Sequence, residues 1–198
     1  MRDKIREFNM VIVGTGGQGQ ITLLKILAEA CLAENHDLKT SELHGLSQRG
    51  GSVEAHLRFG KKIFSPLVSQ AGADLILVLE SQEALRALYY ACSKTQFLIN
   101  KYFLPIPGEA LLSENQILKN LKKFTKKIDI VEATTICKKE LGKEVLAGVY
   151  LISLAVFQNL IPLKPGSLFL AIKKIIPEKY LELNLQAFKL ARASEAVK

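Results

Sequence analysis

Two glycine-rich segments, each at the end of a strand-like run, hold the residues of this 198-residue chain best suited to chemistry. The first is Gly14-Thr15-Gly16-Gly17-Gln18-Gly19, directly after Met10-Val11-Ile12-Val13. Glycines at this spacing allow a tight turn and close backbone approach, and a helix N-terminus behind them attracts phosphate. The second is His44-Gly45-Leu46-Ser47-Gln48-Arg49-Gly50-Gly51, after the run Leu38 to Leu43. Arg49 sets a planar bidentate donor beside flexible backbone, a pairing suited to phosphate or carboxylate. Ser47 and Gln48 add hydrogen-bonding groups, and His44 can titrate or donate. In an open α/β sheet both segments would lie at the carboxyl ends of neighbouring strands, the edge where such folds bind ligands.

The residues leave alternatives open. Gly14, Gly16 and Gly19 satisfy the dinucleotide-binding spacing, which also requires an acidic residue at the end of the second strand. Asp37 precedes that strand, and Glu42 adjoins the second segment. The same glycines could serve close strand–helix packing, another phosphate or a partner's loop. Arg49 fits an anion site or a salt bridge at a subunit surface. A free-standing NAD(P)- or nucleotide-binding protein is therefore the alternative to the reading given below. No nucleophile–base pair or HExxH motif is present, so no catalytic residue is assigned. His36, His44 and His56 lack metal-ligand spacing and there is no CxxC, so no metal ligand is assigned either. Cys31, Cys92 and Cys137 each lie in apolar, helical-looking stretches and read as small core residues. His56 reads as a surface or packing residue.

The elements that must position these segments follow from periodicity. Phe8 to Val13 predicts a buried strand, Gly19 to Glu34 a helix buried on most sides, and Leu38 to Leu43 a second strand. Ser52 to Phe59 alternates polar and apolar residues and predicts a half-exposed strand, turning at Gly60-Lys61-Lys62 into a hairpin with Ile63 to Ser65. Asp74 to Leu79 and Gln96 to Asn100 predict further strands, and Ser81 predicts an N-cap for the helix between them. Ser113-Glu114-Asn115-Gln116 resembles a capping box that opens a helix to about Lys127. Ile128 to Val131 predicts the last strand. Four helical segments follow, and the closing one carries Leu181, Leu185 and Phe188 on one stripe. The fold class expected is α/β: a three-layer α/β/α Rossmann-like sandwich, mostly parallel, with a hairpin and a helical C-terminal region. Residues 1–198 read as one domain.

Composition narrows the function classes. Hydrophobic residues make up 48% and charged residues 23%, a globular balance. The net charge is +8. Lys119, Lys122, Lys123, Lys126 and Lys127 form a basic stripe that reads as a solvated helix face. There is no Trp and no interleaving of aromatics with cations, so nucleic acid is not an expected partner. The charged N-terminus has no apolar signal core, and the greasy run Leu146 to Phe157 is shorter than the roughly 20 residues of a membrane helix. A cytoplasmic location without membrane contact is expected.

The run Val13 to Gly19, the helix through Leu27-Ala28-Glu29-Ala30, and Ser41 through Val53 together resemble the gamma-type domain of 2-oxoacid:ferredoxin oxidoreductases. The form His-Gly-x-x-Gln-Arg-Gly-Gly-Ser at His44 to Ser52 is most similar to the beta (small) subunits of the indolepyruvate group of that family. Gln20 departs from the apolar residue usual after the glycine turn. The resemblance implies a complex that oxidatively decarboxylates an aryl 2-oxo acid with coenzyme A, giving an acyl-CoA, carbon dioxide and reduced ferredoxin. It implies a large (alpha) subunit that holds thiamine diphosphate and iron–sulfur clusters, while this chain binds no cofactor alone and is inactive alone. Ferredoxin would be met through the complex, and homodimer formation by the isolated chain is left open. The residues carried over as the binding loops are Gly14, Gly16, Gly17, Gln18 and Gly19, and then Ser47, Gln48, Arg49, Gly50 and Gly51.

Overall fold

The computed structural model describes residues 5–44, 51–105 and 111–196. Six strands form one sheet: β1 (Glu7–Thr15), β2 (Asp37–His44), β3 (Ser52–Gly60), β4 (Leu75–Val78), β5 (Gln96–Asn100) and β6 (Ile128–Val131). Their order is β2-β3-β1-β4-β5-β6. Parallel pairing joins β1 to β4, β4 to β5 and β5 to β6, while β3 runs antiparallel to both β1 and β2. The helices are α1 (Gln20–Ala33), α2 (Glu114–Leu121), α3 (Ala133–Leu141), α4 (Ala147–Phe157), α5 (Pro165–Ile175) and α6 (Glu178–Ala196), with a 3-10 helix at Ser81–Tyr90 and a 3-10 turn at Glu144–Leu146.

The period of two along each strand divides the core into two halves. Met10, Ile12, Leu57, Leu77 and Leu98 face α1, α3, α4, α5 and α6. Val11, Val13, Ile76, Val78, Phe97 and Ile99 face the 3-10 helix and α2. This is the expected three-layer sandwich with a helical C-terminal region. Apolar residues point to both faces of β1 and β4, so these strands read as continuous greasy runs. Residues Ala147 to Val156 of α4 are buried all round, which explains why that helix has no polar stripe. The capping box is present: Ser113 Oγ accepts from Gln116 N, and the Gln116 side chain accepts from Ser113 N.

Several expectations are corrected. The hairpin partner of β3 is β2, not residues 63–65. Segment 61–74 forms no strand. It instead covers the polar face of β3: Val68 N donates to His56 Nδ1 (3.2 Å), and Arg58 Nη1 donates to Ser65 O (2.9 Å) and Leu67 O (3.1 Å). That face is therefore not exposed, and of the two readings of His56, surface or packing, the packing one holds, since the residue is fully buried. The 3-10 helix is capped by Glu80, whose carboxylate accepts from Gln82 N and Glu83 N, and not by Ser81. Helix α2 ends at Leu121, so Lys122 to Lys127 lie beyond it in a turn. Cys31 and Cys137 are core residues, but Cys92 is only partly buried, in the bend after the 3-10 helix.

His56 Nε2 donates to Glu54 Oε1 (2.8 Å) because its Nδ1 is the acceptor for Val68. Tyr90 O–H donates to the same Glu54 oxygen at 2.7 Å. Burial alone would raise the Glu54 carboxyl, but the hydrogen bonds from His56 and Tyr90 outweigh it and hold it below the ordinary 4.5. Because the folded value is the lower one, the carboxylate's stabilisation is full above the ordinary value and is lost as pH falls through the folded value. Tyr90→Phe removes one of these donors. The expected result is a loss of about 1 kcal/mol at neutral pH, with a shallower decline between about pH 5 and pH 3 than in the parent protein, read from urea midpoints. Leu77 pairs with both Ile12 and Leu98 and is fully buried. Leu77→Ala should cost about 2–5 kcal/mol in denaturant unfolding.

Candidate functional site

Strand β1 delivers the first glycine segment to the carboxyl edge of the sheet, at the switch point where one connection leaves toward β2 and the next strand, β4, continues toward β5 and β6. Beyond Thr15 the strand ladder ends, and side chains take over its hydrogen bonds. Thr15 N donates to Gln18 Oε1 (2.8 Å), Gln18 Nε2 to Leu79 O (3.3 Å), and Gln20 Nε2 to Thr15 O (2.8 Å). A Cβ on Gly14 would lie 2.5 Å from Gln18 Oε1 and 2.8 Å from Gln20 Nε2, so this packing requires glycine there. Gly17 and Gly19 adopt φ of +98° and +81°, the left-handed region. Gly19 is the N-cap of α1, whose first turn carries neither a side-chain cap nor an acidic residue. The positive end of that helix thus faces the turn without an internal anion.

Gly16 N donates to Gly51 O at 2.9 Å, which brings the end of the second segment onto the first. The route differs from the one expected. Strands β1 and β2 are not neighbours, because β3 stands between them and begins at this corner. Ser47, Gln48, Arg49 and Gly50 lie outside the described residues. The β3 insertion also separates the end of β2 from the glycine turn. An acidic residue there is not beside the turn as it is when the second strand adjoins the first, so the dinucleotide alternative is not favoured.

A cleft of ≈ 270 Å³ opens at this edge. Its floor is Thr15, Gly16, Gly17 and Gln18 with Leu79 and Asn100, and its far wall is Tyr102, Leu104, Thr134 and Val145. Asn100 is buried, donates to Leu79 O (3.0 Å) and Thr134 Oγ1 (2.7 Å), and accepts from Thr134 N (3.2 Å). A second, mostly apolar cavity of ≈ 740 Å³ lies on the other side of the turn. Gln18, Gly19 and Thr22 border it, Leu23, Val149, Ile176 and Leu183 wall it, and the exposed Lys143, Lys179 and Tyr180 complete its lining. Val145 lines both spaces and is 70% exposed.

Two buried carboxylates tie the mouth together. Glu80 accepts from Leu104 N (3.2 Å), Gln82 N and Glu83 N. Burial raises its carboxyl above the ordinary 4.5 against the pull of those three backbone donors. Glu83 accepts from Ser52 Oγ and from Arg86 Nε (3.2 Å). The residues after Gly51 and the wall at Leu104 are thereby fixed to one point beyond β4. Leu79, Glu80 and Asn100 were not among the expected site residues, although their signal was present: each sits where a buried strand ends. Gln20 likewise gains a role as the pin of Thr15.

Sheet order, glycine turn and cleft place the molecule in the open α/β class that uses the carboxyl edge of its strands for ligands. Within that class, the family model for pyruvate ferredoxin/flavodoxin oxidoreductase matches residues 9–194, and the chain belongs to this family. It is 33% identical over 187 residues to the indolepyruvate oxidoreductase subunit IorB of Archaeoglobus fulgidus, covering 92% of each chain. It is 30% identical over 178 residues to the common gamma subunit of the pyruvate/ketoisovalerate oxidoreductases of Pyrococcus furiosus, covering 90% of this chain and 91% of that one. The fold matches the gamma subunit of a keto/oxoacid ferredoxin oxidoreductase from Geobacter sulfurreducens, with a TM-score of 0.69 at 18% identity over 96% of this chain and 99% of that one.

Gln18→Ala would leave the buried Thr15 N–H without its acceptor and remove the tie to Leu79. The expected outcome is a loss of about 1–3 kcal/mol of stability, measured by chemical denaturation.

Proposed function

We propose that this chain is the small subunit of a 2-oxoacid:ferredoxin oxidoreductase acting on indolepyruvate or a related aryl pyruvate. The complex converts the oxo acid and coenzyme A to an acyl-CoA and carbon dioxide, and passes the electrons to ferredoxin. The reading rests on family membership together with near full-length similarity to indolepyruvate oxidoreductase subunits. No group of three or more His, Cys, Asp or Glu among the described residues is arranged to hold a metal ion. Following the family resemblance, the proposal assigns thiamine diphosphate and iron–sulfur clusters to a large partner subunit, and activity to the complex rather than to this chain alone. No helix among the described residues is long and apolar enough to cross a membrane, and a cytoplasmic complex is proposed.

Within the complex, the two glycine segments face the large subunit and the phosphates of coenzyme A. The Gly16–Gly51 hydrogen bond supports this, since it sets Gly51, the last residue of the second segment, against a helix N-terminus at one corner. Gly14, Gly16, Gly17, Gln18 and Gly19 present backbone at the corner, and Ser47, Gln48, Arg49, Gly50 and Gly51 present the second loop. A guanidinium and helix N–H groups together would hold phosphate in the bidentate and backbone modes that suit it. Arg49 is the side chain expected to contribute most.

The test is co-expression with the adjacent large-subunit gene and purification through a tag on this chain. A brown co-purifying partner that reduces a viologen dye with indolepyruvate and coenzyme A is the expected result, and a colourless lone chain would count against the assignment. In that complex, Arg49→Ala should raise the KM for coenzyme A by about tenfold or more, the scale of one lost charge-assisted contact. An Arg49→Ala complex that assembles and keeps its coenzyme A requirement would remove Arg49 from the site.

A further inference from the structure

We propose that a lysine patch at the opposite edge of the sheet is a docking surface for an acidic protein. Lys119 lies on α2, Lys122 and Lys123 in the turn after it, Lys126 and Lys127 just before β6, and Lys94 just before β5. All six are exposed. The buried Thr125 donates to Thr95 O (2.8 Å), and Phe97 N donates to Lys127 O (2.9 Å). These bonds hold the turn against residues 93–97 and bring Lys94 into the group.

None of the six makes an ion pair among the described residues. Lys101, Lys138, Lys139 and Lys174, by contrast, each reach a carboxylate. Lys119, Lys122 and Lys123 stand at i, i+3 and i+4, a spacing at which like charges repel. Asp129, exposed two residues beyond Lys127 on β6, accepts from Gln96 Nε2 (2.9 Å); the six lysines outnumber it, and this surplus of positive charge attracts and orients an acidic partner. Phe124, in the same turn between Lys123 and Lys126, is 42% exposed and adds an apolar spot to the group. All six cations are lysines, so the patch lacks the arginine forks that read bases, and a single phenylalanine is not a series of stacking platforms. A carboxylate-rimmed apolar spot on a protein fits it better than a nucleic acid. Strands β5 and β6 begin at this edge and end at the cleft edge, roughly 15 Å away at the usual rise per residue. A partner seated here leaves the cleft open, and the patch does not depend on the ligand assigned there.

The experiment is fluorescence anisotropy of the full chain with labelled poly-L-glutamate and with a labelled glutamate–tyrosine copolymer, at low and high salt. Binding that weakens with salt is expected for both. Lys122→Gln/Lys123→Gln/Lys126→Gln should weaken it about tenfold, while Lys25→Gln/Lys61→Gln/Lys189→Gln, with the same change of charge at other exposed sites, should leave it within about threefold. Phe124→Ala should weaken binding of the copolymer but not of polyglutamate. Thermal melts confirm that each variant folds. Absence of binding, equal loss in both triple variants, or tighter binding of an oligothymidylate than of polyglutamate at matched salt would each overturn the proposal.

Discussion

Everything at the ligand edge depends on how the backbone of β1 is satisfied once its neighbours stop. Within the sheet, β3 and β4 take its hydrogen bonds on both sides, and both of its faces are buried. On the β4 side that supply ends opposite Val13 while Thr15 is still buried, and unpaired backbone groups there would be costly. Gln18 and Gln20 replace the missing strand, one accepting from Thr15 N and the other donating to Thr15 O. The turn is therefore tied into the core by the chain's own side chains. Gly14 is needed because those amide side chains pass so close to the backbone, and Gly17 and Gly19 because the turn takes positive φ there.

The same economy governs the rest of the mouth. Glu80 and Glu83 are buried carboxylates, which fold only with donors around them. Their donors come from the 3-10 helix, from Leu104 and from Ser52, three separate stretches of chain. The carboxylates thereby act as knots that align the start of β3 with the wall of the cleft. On the other half of the sheet, His56 and Glu54 do the same for segment 61–74, where Val68 N and Tyr90 O–H supply the partners. Polar residues that alternate along β3 are thus internal fasteners.

Charge is divided between the two edges of the sheet. At the cleft edge, Glu80 and Glu83 are buried and satisfied, the exposed Glu144 is paired with Lys138 (2.7 Å), and a helix end faces the turn. At the opposite edge, six lysines stand without carboxylate partners among the described residues. A net charge of +8 is therefore unevenly spread, and the asymmetry gives the molecule two chemically distinct faces for association.

The sequence by itself determined the layers, most strand and helix positions, the capping box at Ser113 and the glycine turn, because periodicity, capping and turn chemistry act over a few residues. The His44 to Ser52 motif was specific enough to point to the family. Tertiary structure alone decided that β3 inserts antiparallel between β1 and β2, since strand order arises from which surfaces bury best and not from local pattern. It also decided that His56 is buried, because the segment covering it lies 12 residues away in the chain. Cys92 fell outside the core for the converse reason: its apolar surroundings end in a bend. The cleft joins residues as distant as Gly16, Asn100 and Val145, and only the packing of α4 against the strand ends brings them together.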